Sequence, residues 1–291
     1  MVQAHQLRAN HVDAHSTSAL FRYEKEFGIK FRDHLTFASL DDKHTVNVGE
    51  PNCPVATVER GKEVLVSKGK KLAVSDHDFT RLSLTPSVAM IIDVPESIEE
   101  SFHRGRVFVV FKENAFQPSS PGRHMAELKE ILQRLGPLKP ILLLYTDGGP
   151  DHRLTYLSVQ LSLIFLWLNF DLDFLCAIRT PPQHSCKNPV ERIMSIINIA
   201  LQGVGVMREE APHEDELKCC GQLKSIHIMA EKIPELKEEV HHSIEPMVDL
   251  LSTLIQRLKL KEHNFESHDA ASEEDIGMLW NEVLKVCVCL S

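Results

Sequence analysis

The stretch ILLLYTDGGPDHR at 141–153 decides how this chain folds. Its first four residues are apolar and predict a buried strand, and the Gly-Gly-Pro sequence after Asp147 predicts a tight turn. Asp147 is therefore expected where a central strand ends, at the edge of a sheet. The turn alone would also account for this aspartate, because Asp is common in turns.

Strands and helices alternate on both sides of this stretch. Strand–helix–strand units predict parallel pairing, so the expected fold class is α/β, with a mixed sheet flanked by helices. The run 44–49 is expected to pair with 35–40, and Ser120 and Pro121 are expected to begin the first helix of the core. The predicted strands are 35–40, 44–49, 86–94, 105–113, 140–147 and 172–180, and the predicted helices are 120–136, 154–168 and 189–202.

The chain divides into regions of different composition. Its start is polar and His-rich, with a weak helical pattern from Leu20 to Phe27, and predicts an arm or a truncated remnant. Its end predicts helices that begin near Pro246 and at Ser272, and no strand. The expected regions are an N-terminal arm at 1–33, a core at 34–204 with a β-rich insertion at 50–85, and an acidic helical C-terminal region at 205–291.

Composition narrows the class of protein. The net charge is −9; residues 1–204 hold 23 basic and 23 acidic side chains, so the excess lies in residues 205–291, which hold 9 and 18. DNA binding depends on local patches, so this balance neither favours nor excludes it.

Seven cysteines without CxxC spacing fit reduced thiols in an intracellular protein. The apolar run 154–168 is shorter than the roughly 18 residues of a membrane span, so no membrane association is expected.

Two further acidic points lie where predicted elements end or begin. Asp41 and Asp42 end the first strand, and Glu191 lies in the first turn of the helix at 189–202. Carboxylates at such points favour a divalent-cation site, because Mg²⁺ prefers oxygen ligands. Three alternatives stay open. Asp41 and Asp42 could simply form a turn between two strands, and if they belong to a site, either one could be the ligand. Asn188 and Glu191 could form a capping box at the start of the helix.

The order β-β-β-α-β-α-β-α with these acids resembles the ribonuclease H-like core of DDE-type transposases and retroviral integrases. TDGG at 146–149 is similar to the TDNG around the second acid of integrases. NPVER at 188–192 is similar to the Asn-Pro-x-Glu that carries the third acid in several transposases, and 43 residues separate Asp147 from Glu191. The resemblance covers residues 35–203.

This resemblance implies metal-dependent DNA cleavage and strand transfer, with Asp41, Asp147 and Glu191 as catalytic residues. It implies a two-metal site for Mg²⁺ or Mn²⁺, in which Asp41 bridges both ions and Asp42 is the alternative first ligand. It also implies DNA as the partner and a nuclear location. Such transposases carry a sequence-reading helix-turn-helix region before the core, and 33 residues are too few for one. A domesticated or fragmentary transposon-derived protein is therefore expected.

Basic residues supply the candidate DNA contacts. Five lie in the β-rich insertion, where a solvated hairpin is the ordinary explanation, and two lie near the acidic points. Two other functions stay open: a catalytically silent DNA- or protein-binding platform, and C-terminal helices that form homo-oligomers. The candidate contacts are Arg60, Lys62, Lys68, Lys70, Lys71, Arg179 and Arg192.

Overall fold

A computed structural model gives the structure of residues 12–57, 82–180, 187–210 and 233–289. Its strands are β1 (Leu35–Asp42), β2 (Val46–Val48), β3 (Val55–Ala56), β4 (Leu82–Ile92), β5 (Gly105–Glu113), β6 (Ile141–Thr146), β7 (Phe174–Arg179), β8 (Gly205–Val206), β9 (Lys259–Leu260), β10 (His263–Asn264) and β11 (Glu266–His268). Its α-helices are α1 (Ala14–Lys30), α2 (Pro121–Arg134), α3 (Leu157–Asn169), α4 (Val190–Leu201), α5 (Pro234–Gln256) and α6 (Glu273–Cys289).

A mixed sheet with β1 at its centre organises the chain. The strand order is β11-β5-β4-β1-β6-β7, and β2 pairs with β4 beside this path. β4 is antiparallel to β1 and to β5, whereas β6 is parallel to β1 and β7 is parallel to β6. The five long strands have the order and directions of the ribonuclease H-like fold. The expected α/β class, a mixed sheet flanked by helices, is confirmed.

Each face of the sheet is covered by its own helices. Alternate residues of β1 point to opposite faces. Leu35 and Phe37 belong to a core that includes side chains of α4 and α5, and we name this side the first face. Ala38 and Leu40 belong to a core that includes side chains of α2, α3 and α6, on the second face. By the same alternation, Asp41 lies on the first face and the adjacent Asp42 on the second.

The predicted hairpin between 35–40 and 44–49 is wrong. β2 pairs antiparallel with β4, with Val46 opposite Leu84. Both edges of β1 are already occupied, by β4 on one side and β6 on the other. The backbone N–H of Lys43 continues the β1–β4 pairing by donating to the carbonyl of Pro86 at 2.8 Å. The chain beyond Asp42 therefore extends along β4.

The prediction of no strand after residue 205 is also wrong. β8 pairs with β3, and β11 joins the sheet in parallel with β5. Strands of two or three residues carry too little periodicity to be detected in a sequence. α5 begins at Pro234 and not near Pro246, which lies inside the helix. The buried stripe continues across this proline, so packing outweighs the lost backbone hydrogen bond.

Two predicted helix starts are confirmed in detail. The Ser120 side chain accepts a hydrogen bond from the Arg123 N–H at 3.2 Å, with Pro121 in the first turn of α2. At α6, the Ser272 N–H donates to Asp275 Oδ2 at 2.9 Å and the Asp275 N–H donates to Ser272 Oγ at 3.1 Å. Each cap satisfies N–H groups that the helix itself leaves free.

The remaining regions are partly described. The helical pattern from Leu20 to Phe27 lies within α1, whose side chains pack on the first face. Of the predicted insertion at 50–85, residues 58–81 lie outside the described part, and its two ends form β3 and the start of β4. Among the described helices, none combines the length and apolar character needed to cross a bilayer.

Candidate metal centre

Strand pairing places Asp41 and Asp147 at the same edge of the sheet. β1 and β6 run parallel with Leu40 opposite Thr146. Asp41 and Asp147 follow this pair directly, so they lie side by side where the pairing of the two strands ends. Tyr145 belongs to the first-face core, and by alternation Asp147 follows it to that face. Asp41 is buried, with 7% of its surface exposed, and Asp147 is half-buried.

Glu191 reaches this edge because the start of α4 is fastened to β1. The Asn188 amide donates to the Leu40 carbonyl at 3.2 Å, and the Ser39 hydroxyl donates to the Asn188 side-chain oxygen. Asn188 is therefore engaged by the strand, and its backbone N–H makes no hydrogen bond with Glu191 among the described residues. The full capping box is not formed: the Val190 N–H donates to Asn188 Oδ1 at 3.4 Å, but the return bond from the Glu191 side chain is missing. The Glu191 carboxylate is left free to face the strand ends.

The three carboxylates interact electrostatically. The pKa of Asp41 is raised from 3.8 to about 8, first by burial, then by the negative charges of Asp147 and Glu191. Each of these carboxylates comes from a different element, yet both act on the same buried group. The structure thus places Asp147 and Glu191 close enough to Asp41 to raise its pKa.

The turn after β6 orients Asp147. The Gly149 N–H donates to Asp147 Oδ1 at 2.9 Å, and the Thr180 hydroxyl donates to the Asp147 carbonyl at 2.9 Å. Gly148 has a φ of +76°, and a Cβ placed on it would lie 2.8 Å from Cδ of Arg179. Only glycine fits this position without strain. Asp147 is therefore both a turn residue and a site residue, because the turn fixes the orientation of its carboxylate.

Asp42 belongs to a different polar group, on the second face. The Ser119 hydroxyl donates to Asp42 Oδ2 at 2.5 Å, His124 Nε2 lies 3.3 Å from the same oxygen, and Lys112 Nζ lies 3.6 Å from Oδ1. Burial alone would raise the pKa of Asp42, but the adjacent His124 and Lys112 outweigh it and hold the pKa well below its usual range. Asp42 is thus held in its ionised form by these neighbours, and Asp41 is the aspartate whose pKa responds to Asp147 and Glu191.

Sequence reasoning missed the partners of Asp42. Lys112 has a fully buried side chain, which lies 3.1 Å from Glu127 and 3.1 Å from His124 Nδ1. The sequence does indicate that Lys112 is buried. Lys112 and Phe108 are an even number of residues apart on β5, so both side chains point into the second-face core. His124 and Glu127 are three residues apart on α2, so they lie on one side of that helix.

The candidate DNA contacts divide into two sets. Arg179, at the end of β7, packs on Gly148 beside Asp147 and is half-buried. Arg192 is exposed and follows Glu191 on α4. Neither arginine forms an ion pair with another described residue. The basic residues of the insertion all lie outside the described part: Arg60, Lys62, Lys68, Lys70 and Lys71.

The donor set at the sheet edge fits a hard divalent cation. Asp41, Asp147 and Glu191 offer only oxygen atoms, which Mg²⁺ and Mn²⁺ prefer. Their mutual repulsion is lowest when a positive charge lies between them. Such a cation would also compensate the burial of Asp41, which otherwise keeps a proton at neutral pH.

Comparison with known proteins adds little beyond this geometry. No family model matches the chain, and a search of curated proteins finds no match. Among solved structures, the chain is similar to the Mos1 mariner paired-end complex with Mn (12% identity, TM-score 0.35, 76% of this chain and 61% of that chain). It is also similar to the Mos1 transposase paired-end complex with left transposon end (13%, 0.36, 84% and 67%) and to the Mos1 strand transfer complex (10%, 0.36, 84% and 62%).

These structures are complexes of the Mos1 transposase. The chain spans 61% of the first of them. With TM-scores below 0.5, the likeness establishes neither an activity nor a partner for this protein. Any function has to be argued from the carboxylates themselves.

Proposed function

We propose that this chain carries a two-cation site for the cleavage and joining of DNA, in which Asp41, Asp147 and Glu191 hold Mg²⁺ or Mn²⁺. The convergence of three carboxylates from three elements at one sheet edge carries this proposal. Structural ion pairs place opposite charges together, whereas here burial first, and then the like charges of Asp147 and Glu191, raise the pKa of Asp41 to about 8. Like charges concentrated in this way are typical of a site built for a cation.

Each acid has a defined part in the proposed site. Asp41, Asp147 and Glu191 would hold the cations, with Asp41 as the buried acid whose pKa responds to both of the others. The Gly149 N–H fixes Asp147 Oδ1, so Oδ2 is the oxygen available for a cation. When bound, the cations supply the Lewis acidity that activates a water or a 3′-hydroxyl and stabilises the leaving oxygen. The protein contributes the rigid strand ends that hold the acids in place.

Cation binding must displace the Asp41 proton. Because burial and the neighbouring acids raise the pKa of Asp41 to about 8, this carboxyl is protonated at neutral pH when no cation is bound. A cation would therefore release a proton on binding. The apparent affinity for Mg²⁺ or Mn²⁺ should rise with pH up to about 8 and level off above it.

Two arginines support DNA as the substrate. Arg179 lies beside the turn that carries Asp147, and the exposed Arg192 follows Glu191. Guanidinium groups pair well with phosphate oxygens. Arg179 could therefore contact a phosphodiester at the turn that carries Asp147, while Arg192 is an exposed positive charge on the same helix as Glu191.

A cleavage assay tests the proposal. Supercoiled plasmid is incubated with Mn²⁺ and either the parent protein, Asp147→Asn, or the matched control Asp173→Asn. Asp173 is an exposed residue next to the opposite end of β7, so the same chemical change there leaves the site intact. We expect nicking by the parent and the control and at least a 100-fold loss in Asp147→Asn, because replacing a residue that only supports a metal ligand already costs about 10–100-fold.

Two results would contradict the proposed activity. Equal nicking by the parent and Asp147→Asn would place the activity elsewhere, and no nicking by any variant would remove it. In the second case, Mn²⁺ and DNA binding that survive in the parent would assign the chain as a catalytically silent binding platform.

A further inference from the structure

A second group of possible ligands lies on the opposite face of the sheet. Asp42 ends β1, His124 lies in the first turns of α2, and Asp151 lies in the 3₁₀ turn after β6. One potential ligand atom from each lies within 4.8 Å of the other two. His124 is buried, while Asp42 and Asp151 are half-buried, so the group is reachable from solvent at one side. It shares no residue with the carboxylates of the first face.

The side chains around this group carry a net negative charge that one dication would balance. The fully buried Lys112 lies beside the group: it pairs with Glu127 at 3.1 Å and with Asp42 at 3.6 Å, and its Nζ lies 3.1 Å from His124 Nδ1. Three carboxylates, those of Asp42, Glu127 and Asp151, therefore share one ammonium. The formal charges of these four side chains, Asp42, Glu127, Asp151 and Lys112, sum to −2. One dication bound to Asp42 and Asp151 would make the group neutral, while Lys112 stays with Glu127.

Some buried polar atoms beside the group make no hydrogen bond. Glu127 Oε1 and His152 Nε2 are buried and have no hydrogen-bond partner among the described residues, and Asp42 Oδ1 has only its 3.6 Å ion pair with Lys112. His152 lies next to the group, with its ring 4.5 Å from that of His124. Buried polar groups are normally satisfied, so these atoms indicate a component that completes the group. This observation is independent of the ligand spacing.

The type of ligand selects the ion. A histidine nitrogen suits Zn²⁺, Co²⁺ and Mn²⁺, whereas Mg²⁺ prefers oxygen and water alone. We propose that Asp42, His124 and Asp151 bind one transition-metal dication of the Zn²⁺ type. This ion would join the end of β1, the start of α2 and the turn that carries Asp147. Its role would be to hold that turn, since Asp151 is four residues beyond Asp147.

Cobalt titration provides the test. The double variant Asp147→Asn/Glu191→Gln removes two acids of the first face and serves as the background protein. Co²⁺ is added while the visible d–d absorption and the bound metal after desalting are measured. We expect one equivalent of Co²⁺ in the background protein and at least a tenfold loss of affinity when His124→Gln is added. Zn²⁺ should displace the bound Co²⁺.

Two controls keep the outcome clear. Glu130→Gln changes an exposed acid on α2 and should leave the titration unchanged. If His124→Gln does not fold, as judged by circular dichroism, Asp151→Asn at the half-buried turn replaces it with the same expected loss. No bound equivalent in the background protein, or an equivalent that survives both variants, would overturn the second site. Neither result bears on Mn²⁺-dependent nicking, so the two proposals fail separately.

Discussion

Replacement of Asp41 by Asn should stabilise the cation-free protein, and increasingly so as the pH rises. The folded-state pKa of Asp41 is about 8 against an ordinary 3.8, so the folded protein keeps a proton that the unfolded chain releases above pH 4. Stability is therefore lost progressively as the pH rises from about 4 to 8. Asn carries no titratable charge and removes this loss.

The size of the effect follows from the shift. Four pKa units correspond to about 6 kcal/mol once the pH exceeds both values. Asp147 and Glu191 are half-buried, and water that reaches them reduces the repulsion that one substitution removes. We expect the free energy of unfolding of Asp41→Asn, relative to the parent, to rise by about 2–4 kcal/mol between pH 5 and pH 9.

Urea unfolding in EDTA at pH 5, 7 and 9 measures this difference. The adjacent Asp42→Asn is the matched control and should behave oppositely. Its carboxylate is held ionised by Lys112 and His124, so its loss should destabilise the protein by about 3 kcal/mol at all three pH values. An Asp41→Asn variant whose stability parallels that of the parent at every pH would refute the reasoning about the carboxylate group.

Three further substitutions test the surroundings of the site. Glu24→Gln removes a buried carboxyl of α1 that has no hydrogen-bond partner among the described residues and whose pKa is raised to about 9 by burial. Thermal melting should show that the variant gains stability over the parent at pH 9 relative to pH 5, and an unchanged difference would contradict this. Gly148→Ala should lower the free energy of unfolding, measured with urea, by about 1–2 kcal/mol, because Gly148 has a positive φ and Arg179 occupies the position that the new Cβ would take. An unchanged free energy of unfolding would show that the turn does not require glycine. Asn188→Ala should lower the free energy of unfolding by about 2–3 kcal/mol, because α4 loses its hydrogen bonds to β1. It should also weaken Mn²⁺ binding measured by calorimetry. An unaltered Mn²⁺ affinity would show that Glu191 is not a ligand.

Local patterns in the sequence were enough for the central strands and two helix caps. Four apolar residues followed by Gly-Gly-Pro mark β6 and its turn, and these signals depend only on nearby residues. The cap at Ser120 has the same local origin, because the side chain bonds to an N–H three residues away. The convergence of Asp41 and Asp147 also follows, since parallel strands end at the same edge.

Features that depend on distant parts of the chain could not be predicted. β2 was expected on β1, but β1 has no free edge once β4 and β6 are paired, and only the full topology reveals this. The short β11 is a strand because β5 offers it an edge, and not because its sequence is strand-like. Pairing between residues far apart in the chain leaves no periodic signal.

The choice between Asp41 and Asp42 shows the same limit. Alternation along β1 puts the two residues on opposite faces, but the sequence does not say which face receives the helix that carries Glu191. Asn188 settles this by fastening the start of α4 to Leu40. The buried Lys112, meanwhile, neutralises Asp42 from a strand whose other residues are mostly apolar. Both facts require the packed structure.

A crystal structure of the protein soaked in Mn²⁺, with anomalous difference density, tests the central claim most directly. We predict one or two peaks at the edge where β1 and β6 end, bound by Asp41, Asp147 and Glu191, and two ions there would lie about 3.5–4 Å apart. No peak within coordination distance of Asp41, at a pH above 8 where its carboxyl is ionised, would contradict the proposed cation site.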